Sequence, residues 1–139
     1  MVIKKFKTVM VFGTYDLLHE GHKSFFKQAK KYGDFLIVVV ARDKTVLAVK
    51  NRRPRNKENI RLKTIKVSGL ADKVIIGNLR DKYAVIKKYR PEVICLGYDQ
   101  KDFTERLAIK LKEFKMPGTD IYQLKPYKPE IYKSSKLKQ

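Results

Sequence analysis

Short apolar segments that alternate with helical periodicity constrain the fold of this chain most strongly. Five such segments are rich in Val and Ile and carry no regular polar alternation; they span residues 8–12, 35–41, 73–76, 93–96 and 120–124. Uninterrupted apolar strands are typical of sheets that are covered on both faces. The alternation therefore predicts repeated β-α-β units and a doubly wound α/β fold with five mainly parallel strands.

Amphipathic helices are predicted between these strands. The first carries an apolar stripe over residues 22–29 with lysines on the opposite side, and it is predicted to end at Gly33. A second clear stripe covers residues 103–114 and is stopped by Pro117. Weaker helical patterns occupy residues 57–68 and 82–89.

The length of 139 residues fits one domain spanning residues 1–139. The longest apolar run, residues 35–41, is far shorter than the about 20 residues that a membrane-spanning helix needs. Lys4, Lys5 and Lys7 precede an apolar stretch that is too short for a secretory signal, so we expect a cytoplasmic protein with no membrane partner. The single cysteine, Cys95, lies in an apolar run and is predicted to be a buried core thiol.

The formal net charge of +19 predicts a surface that attracts polyanions. Nucleic acid, a phosphorylated small substrate and a merely solvated lysine surface all fit this charge. Basic residues are densest in residues 50–63 and in the tail after Gln123.

The carboxyl end of the first strand is the predicted site, because doubly wound sheets bind ligands there. The only two histidines, His19 and His22, lie in this segment after Gly13, one on either side of Gly21. Gly13 would permit a tight turn and a close approach of the backbone to a ligand. Gly21 would open a helix whose N–H groups favour an anion, so the histidines would flank a phosphate site.

Two other readings of the histidines stay open at this point. A zinc-protease helix needs histidines four residues apart, whereas His19 and His22 are three apart, which disfavours zinc. His22 also lies on the apolar face of its predicted helix, so it could be an ordinary core histidine.

The glycine-flanked histidines carry a resemblance to a known family. Residues 13–16 read GTYD and residues 19–22 read HEGH, which resembles the signature of the cytidylyltransferase-like nucleotidyltransferases, where a GTFD-type turn leads into an HxGH box. Segments that match in order continue to the end of the chain, at residues 41–43, 53–54, 61, 97–100 and 134–137. Within this superfamily the chain is most similar to the archaeal FAD synthetases, and bacterial glycerol-3-phosphate cytidylyltransferases are the nearest rivals. Asn51 stands where a glycine is common.

The resemblance implies a Rossmann-like nucleotidyltransferase fold and transfer of AMP from ATP to FMN, giving FAD and pyrophosphate. It implies a magnesium ion carried on the substrate phosphates, no metal site built from protein side chains, and a possible homodimer. The alternative within the superfamily is a CTP-dependent cytidylyltransferase that acts on glycerol 3-phosphate or a similar acceptor. The alternative from another class is a basic nucleic-acid-binding module without catalysis, which does not explain the paired histidines and is therefore the less favoured reading.

The resemblance also implies roles for particular residues. His19 and His22 would donate hydrogen bonds to the reacting phosphate, and Lys50 and Arg61 would hold phosphates, although each of these two cations taken alone reads as a surface residue. Asp99 would bind the nucleoside and Tyr127 would lie against the base. The full set of nucleotide-binding residues implied is Gly13, Thr14, Tyr15, His19, Glu20, Gly21, His22, Asp99, Tyr127, Ser134 and Ser135.

Overall fold

The structure, a computed structural model, describes residues 7–97 and 100–126, with residues 101–105 described through their backbone only. Strands and helices alternate in the order β1 (Thr8–Gly13), α1 (Glu20–Lys30), β2 (Phe35–Val40), α2 (Asp43–Lys50), α3 (Glu58–Ser68), β3 (Lys73–Ile76), α4 (Ala84–Tyr89), β4 (Val93–Leu96), α5 (Lys101–Glu113) and β5 (Asp120–Gln123). All five predicted strands are present, so the predicted α/β fold is confirmed.

The five strands form one sheet in the order β3-β2-β1-β4-β5, and every neighbouring pair is parallel. In the centre of the sheet, Val11 pairs with Val38 on one side and Cys95 on the other. The chain leaves β1 toward β2 and leaves β4 toward β5, in opposite directions. The winding therefore switches between the carboxyl ends of β1 and β4, which is where doubly wound folds bind ligands.

Helices cover both faces of the sheet. Val9 and Val11 of β1 pack in a cluster with residues of α1 and α3, whereas Met10 and Phe12 pack in a second cluster with residues of α4 and α5. This two-sided burial explains why the strands read as unbroken apolar runs. Cys95 has no exposed surface, and its burial raises the thiol pKa to about 12, which confirms the prediction of a core thiol.

Two helical features of the structure differ from the prediction. Helix α2 was not predicted, and α1 ends at Lys30 rather than at Gly33. Gly33 follows the turn at residues 31–32, at a point where a Cβ atom would stand 2.5 Å from the Lys7 carbonyl oxygen. The close approach of the Lys7 backbone therefore requires a glycine at this position.

No helix in the described ranges is long and apolar enough to cross a membrane. The cytoplasmic location stays a prediction from the sequence.

Candidate active site

The two histidines begin α1 and hold each other in place through the backbone. His19 is the N-cap residue in an extended conformation, and its Nδ1 accepts the Gly21 N–H at 3.0 Å. His22 is the third residue of the helix, and its Nδ1 accepts the His19 N–H at 3.3 Å. This is the capping-box arrangement, which proteins usually build from Ser or Thr and Glu or Gln. In this chain two imidazoles make both bonds.

Capping also fixes how the rings carry their protons. A neutral imidazole has one nitrogen that accepts and one that donates. Because Nδ1 of His19 and Nδ1 of His22 both accept backbone N–H groups, Nε2 carries the proton in each neutral ring. The rings stack with their centroids 3.8 Å apart and their planes 24° apart. The pair is thus an assembly of two imidazoles whose Nε2 atoms are the donors.

Both imidazoles are neutral near pH 7. Burial lowers the pKa of His22 to about 3, and electrostatic interaction with His19 lowers it further. A hydrogen bond to the Leu17 backbone opposes this, and the charge of Lys50 has the smallest effect, also lowering the pKa. Burial also lowers the pKa of His19, against the opposing charge of Glu20. Lys50, the predicted phosphate-binding cation, is exposed at the carboxyl end of α2.

Tyr15 supports the histidines from within the core. Its backbone adopts the left-handed conformation with φ of 52°, and its ring meets His22 edge-on at 5.3 Å between centroids and Phe26 at 5.1 Å. A Cβ atom on Gly13 would lie 2.5 Å from Cζ of this ring. The Tyr15 ring therefore packs closely against Gly13, and the approach of a ligand to this glycine stays a prediction.

The start of α1 differs from prediction in a second way. The helix begins at Glu20, and the Gly21 N–H is already bonded to His19. This N–H is engaged within the protein, contrary to the expectation that it faces an anion. Glu20, predicted to contact the nucleotide, is exposed and forms an ion pair with Lys23 at 3.3 Å.

Arg61 is buried, so its reading as a surface cation is wrong. Its guanidinium donates to the Thr14 carbonyl at 2.8 Å, to the Asn56 carbonyl at 2.9 Å and to the Asp43 carboxylate at 2.7 Å. These three bonds join the turn after β1, the loop before α3 and the first turn of α2. Arg61 thus connects three segments around the site, and Thr14, predicted to bind nucleotide, takes part through its backbone.

Asp16 is the last residue of the GTYD motif, and the sequence predicts no role for it. Asp16 is 4% exposed, and its carboxylate accepts the backbone N–H groups of Arg55 at 2.7 Å and Asn56 at 2.8 Å. Its backbone carbonyl accepts the Asn56 side-chain amide at 2.8 Å. An acidic residue three positions before the N-cap histidine was the available signal, but its partners lie about forty residues away.

The amino ends of α2 and α3 are fastened to each other. The Glu58 carboxylate accepts the Asp43 N–H at 2.9 Å, and the Asp43 carboxylate accepts the Glu58 N–H at 3.3 Å. Arg42 pairs with Glu58 at 2.9 Å and donates to the Gly77 carbonyl beyond β3. Carboxylates thus satisfy backbone donors at both helix starts, where the helix dipole favours negative charge.

A side chain also connects the two strands that flank the switch point. Gln100 accepts the Gly97 N–H at 2.7 Å and donates to the Phe12 carbonyl at 2.8 Å. The amide therefore joins the carboxyl ends of β1 and β4 and keeps this edge of the sheet in a fixed shape. Asp99, Tyr127, Ser134 and Ser135, which the sequence assigned to the nucleotide, lie outside the described residues.

Comparison with known proteins agrees with this geometry. The sequence model of the cytidylyltransferase-like family matches residues 10–139. The chain is 38% identical over 138 residues to a FAD synthase of Thermococcus sibiricus, which covers 99% of this chain and 93% of that protein. It is 39% identical over 131 residues to a FAD synthase of Pyrococcus horikoshii, which covers 94% of this chain and 85% of that protein.

A solved structure extends the likeness to the fold. A protein of Thermoplasma volcanium, described as a lipopolysaccharide core biosynthesis protein, superposes with a TM-score of 0.82 at 35% identity over 88% of this chain and 99% of that chain. Its likeness and the match over nearly the whole sequence confirm the resemblance that the GTYD and HEGH segments predicted. The chain therefore belongs to the cytidylyltransferase-like family.

Proposed function

We propose that the protein transfers AMP from ATP to FMN. A phosphate oxygen of FMN attacks the α-phosphorus of ATP. The bond between the α-phosphorus and the oxygen that bridges to the β-phosphorus breaks, and FAD and pyrophosphate form. The reaction class rests on one observation, the reciprocally capped pair His19 and His22 beside the switch point of the sheet. The choice of ATP and FMN is supported by relatives that are named FAD synthase and align with most of this chain.

The histidine pair suits stabilisation of a phosphoryl-transfer transition state. Negative charge is spread over the oxygens of the transferred group, and the FMN phosphate supplies the nucleophile, so positioned donors are what the protein must add. Neutral His19 and His22 each carry one ring N–H to donate; that of His22 also bonds the Leu17 backbone, so a phosphate would have to share it. Rings fixed through Nδ1 need little reorganisation during the reaction. Loss of one such donor typically costs about a hundredfold or more in turnover.

Two cations act differently in this proposal. Lys50, exposed at the end of α2, would hold a substrate phosphate, as the resemblance implies. Arg61 is buried with bonds from Nε and both terminal nitrogens, so it would chiefly shape the site through the loop and turn that it joins. The net charge of +19 favours the approach of two phosphorylated substrates.

We expect a magnesium ion to be carried on the substrate phosphates, as the resemblance implies. In residues 7–97 and 100–126 no three His, Cys, Asp or Glu side chains gather in a group that could hold a metal ion. Mg²⁺ commonly keeps several waters and binds through substrate phosphates, which it would partly neutralise here. Contacts of Asp99, Tyr127, Ser134 and Ser135 with the nucleotide stay predictions from the resemblance.

The assignment is tested by product analysis. The protein is incubated with Mg²⁺ and either ATP plus FMN or CTP plus glycerol 3-phosphate, and nucleotide products are separated by chromatography while pyrophosphate is measured. FAD and pyrophosphate in equal amounts are expected from the first pair only. Turnover with CTP alone would move the protein to the cytidylyltransferase branch. Salt-dependent oligonucleotide binding without turnover of either pair would favour a nucleic-acid-binding module.

Homodimerisation is a separate proposal that rests on the resemblance. Sedimentation velocity at micromolar concentration tests it, and a species with the 16.3 kDa mass of one chain would contradict it.

A further inference from the structure

We propose that Asp16 is a positioning residue that holds the basic loop, residues 51–57, against the histidine turn, residues 14–19. Through this contact Asp16 would set the affinity of the site for substrate phosphates without touching the substrate. The proposal rests on the proposed function for the identity of the substrates. It goes further in naming the residue that fastens the basic loop to the histidine turn.

The contact is short, buried and made to the backbone of the loop. Both carboxylate oxygens of Asp16 are used, Oδ2 by the Arg55 N–H and Oδ1 by the Asn56 N–H. Hydrogen bonds to an ionised carboxylate are among the stronger ones in proteins, and this carboxylate is 4% exposed. A buried charge that lost these donors would be strongly destabilised, so the loop backbone and Asp16 require each other.

Because Asp16 bonds backbone N–H groups, this contact does not use the charged side chains of the loop. Arg52, Arg53, Arg55 and Lys57 have exposed side chains. Within the described parts of the chain, none of the four forms an ion pair with a carboxylate. Asp16 thus fixes the path of a strongly cationic loop while leaving its side chains facing solvent, which is what a phosphate-binding loop needs.

Two further bonds make the attachment rigid. The Asn56 amide donates back to the Asp16 carbonyl, and Arg61 joins the Asn56 carbonyl to the Thr14 carbonyl. The same short stretch of loop is therefore tied to the histidine turn from both sides. None of Asp16, Arg55 and Asn56 belongs to a strand or helix, so loosening this contact should free the loop without unfolding the sheet.

The test variant is Asp16→Asn, which keeps one accepting oxygen and replaces the other by an NH₂ group facing an N–H. Amide hydrogen exchange over residues 51–57 should become faster by about tenfold or more, as expected when a bond to a charged group is lost. The Michaelis constants for ATP and FMN should rise by about tenfold, while kcat stays within about threefold of wild type. A merely structural role would not produce this division between KM and kcat.

Asp72→Asn is the matched control. The Asp72 carboxylate accepts the Leu36 N–H at 2.8 Å at the amino end of β2, so the change removes the same kind of bond far from the histidines. It should leave both KM values and the exchange of residues 51–57 unchanged. Unchanged exchange or unchanged KM values in Asp16→Asn would overturn the proposal, and so would an equal effect of Asp72→Asn.

Binding of inorganic tripolyphosphate separates this proposal from the proposed function. Calorimetric titration needs no turnover, and Asp16→Asn should bind tripolyphosphate about tenfold more weakly than wild type or Asp72→Asn. If wild type makes no FAD yet shows this difference, the proposed function fails and the role of Asp16 stands. If all three proteins bind the probe equally, the role of Asp16 fails whatever reaction the protein catalyses.

Discussion

Nδ1 of His22 accepts the backbone N–H of His19, while Nδ1 of His19 caps the same helix through Gly21. In each histidine, Nδ1 therefore accepts a capping hydrogen bond, and Nε2 carries the ring proton. Replacement of either histidine by alanine would remove the capping bond and the donor together. Variants that keep the cap but lack the imidazole separate the two contributions, because Asn is a good N-cap residue and Gln is a usual capping-box partner at the third position.

His19→Asn and His22→Gln should each lower kcat by about a hundredfold or more, because each removes a donor to the transferred phosphate. Their stability should stay within about 0.5 kcal/mol of wild type, whereas His19→Ala should lose about 1 kcal/mol with its cap. Steady-state kinetics and urea unfolding measure the two effects. Activity near wild type in well-folded His19→Asn would contradict a catalytic role for this ring.

Stability should fall on acidification because of His22. Its pKa is about 3 in the folded protein and about 6.5 when exposed, so between these values the unfolded chain binds more protons. The free energy of unfolding is thus unaffected by this group above pH 6.5 and decreases as the pH falls, by at most about 2 kcal/mol down to pH 5.

Urea unfolding of wild type and His22→Gln at both pH values isolates this contribution. The variant has no titrating group at this position, so its loss of stability on acidification should be smaller. Parallel pH profiles for the two proteins would show that His22 is not the cause.

Gly13→Ala should disturb the site through Tyr15. The new methyl group would lie 2.5 Å from the ring, so the ring must move away from its contact with His22. We expect a loss of about 1–3 kcal/mol of stability, as for other overpacked cores, and a fall in kcat of about tenfold or more. Gly118→Ala is the control, because a Cβ atom at Gly118 meets no atom within 4 Å. Equal behaviour of the two variants would contradict the role of the Tyr15 ring.

Lys115→Gly should stabilise the protein by about 1 kcal/mol. Lys115 follows α5 with φ of 56°, a conformation that costs residues with a Cβ atom about 1–2 kcal/mol and costs glycine little. The same change at Lys112, inside α5, should destabilise by about 1 kcal/mol. Thermal unfolding of both variants measures the contrast. A lower melting temperature for Lys115→Gly would contradict the prediction.

The sheet could be predicted because burial on both faces makes its strands read as unbroken apolar runs. Helix α2 could not, because its eight residues bury only Val46 and carry no apolar stripe. What holds α2 is the Glu58 carboxylate at its start and Asn51 at its end. Asn51 adopts the left-handed conformation with φ of 57°, which explains why this residue can stand where a glycine is common.

Part of the site could be predicted for a similar reason. The histidine pair is local in sequence, so its spacing showed it. Asp16 and Arg61 act through partners up to 47 residues away, and no local pattern reports such contacts. A buried arginine and an exposed arginine also look alike in a basic segment, so Arg61 taken alone reads as a surface cation, although the resemblance implies that it holds a phosphate.

The attachment of the basic loop at Arg55 and Asn56 divides it into two parts with different tolerance to change. Insertions or new side chains at residues 51–54 would alter the tip and leave the bonds to Asp16 and Arg61 in place. Residues 52–54 of the tip are therefore the segment to randomise in a search for altered acceptor preference, with Asn51, which ends α2, and positions 55 and 56 kept constant. A protein of this architecture can diversify its substrates at one loop tip while its histidines remain in register.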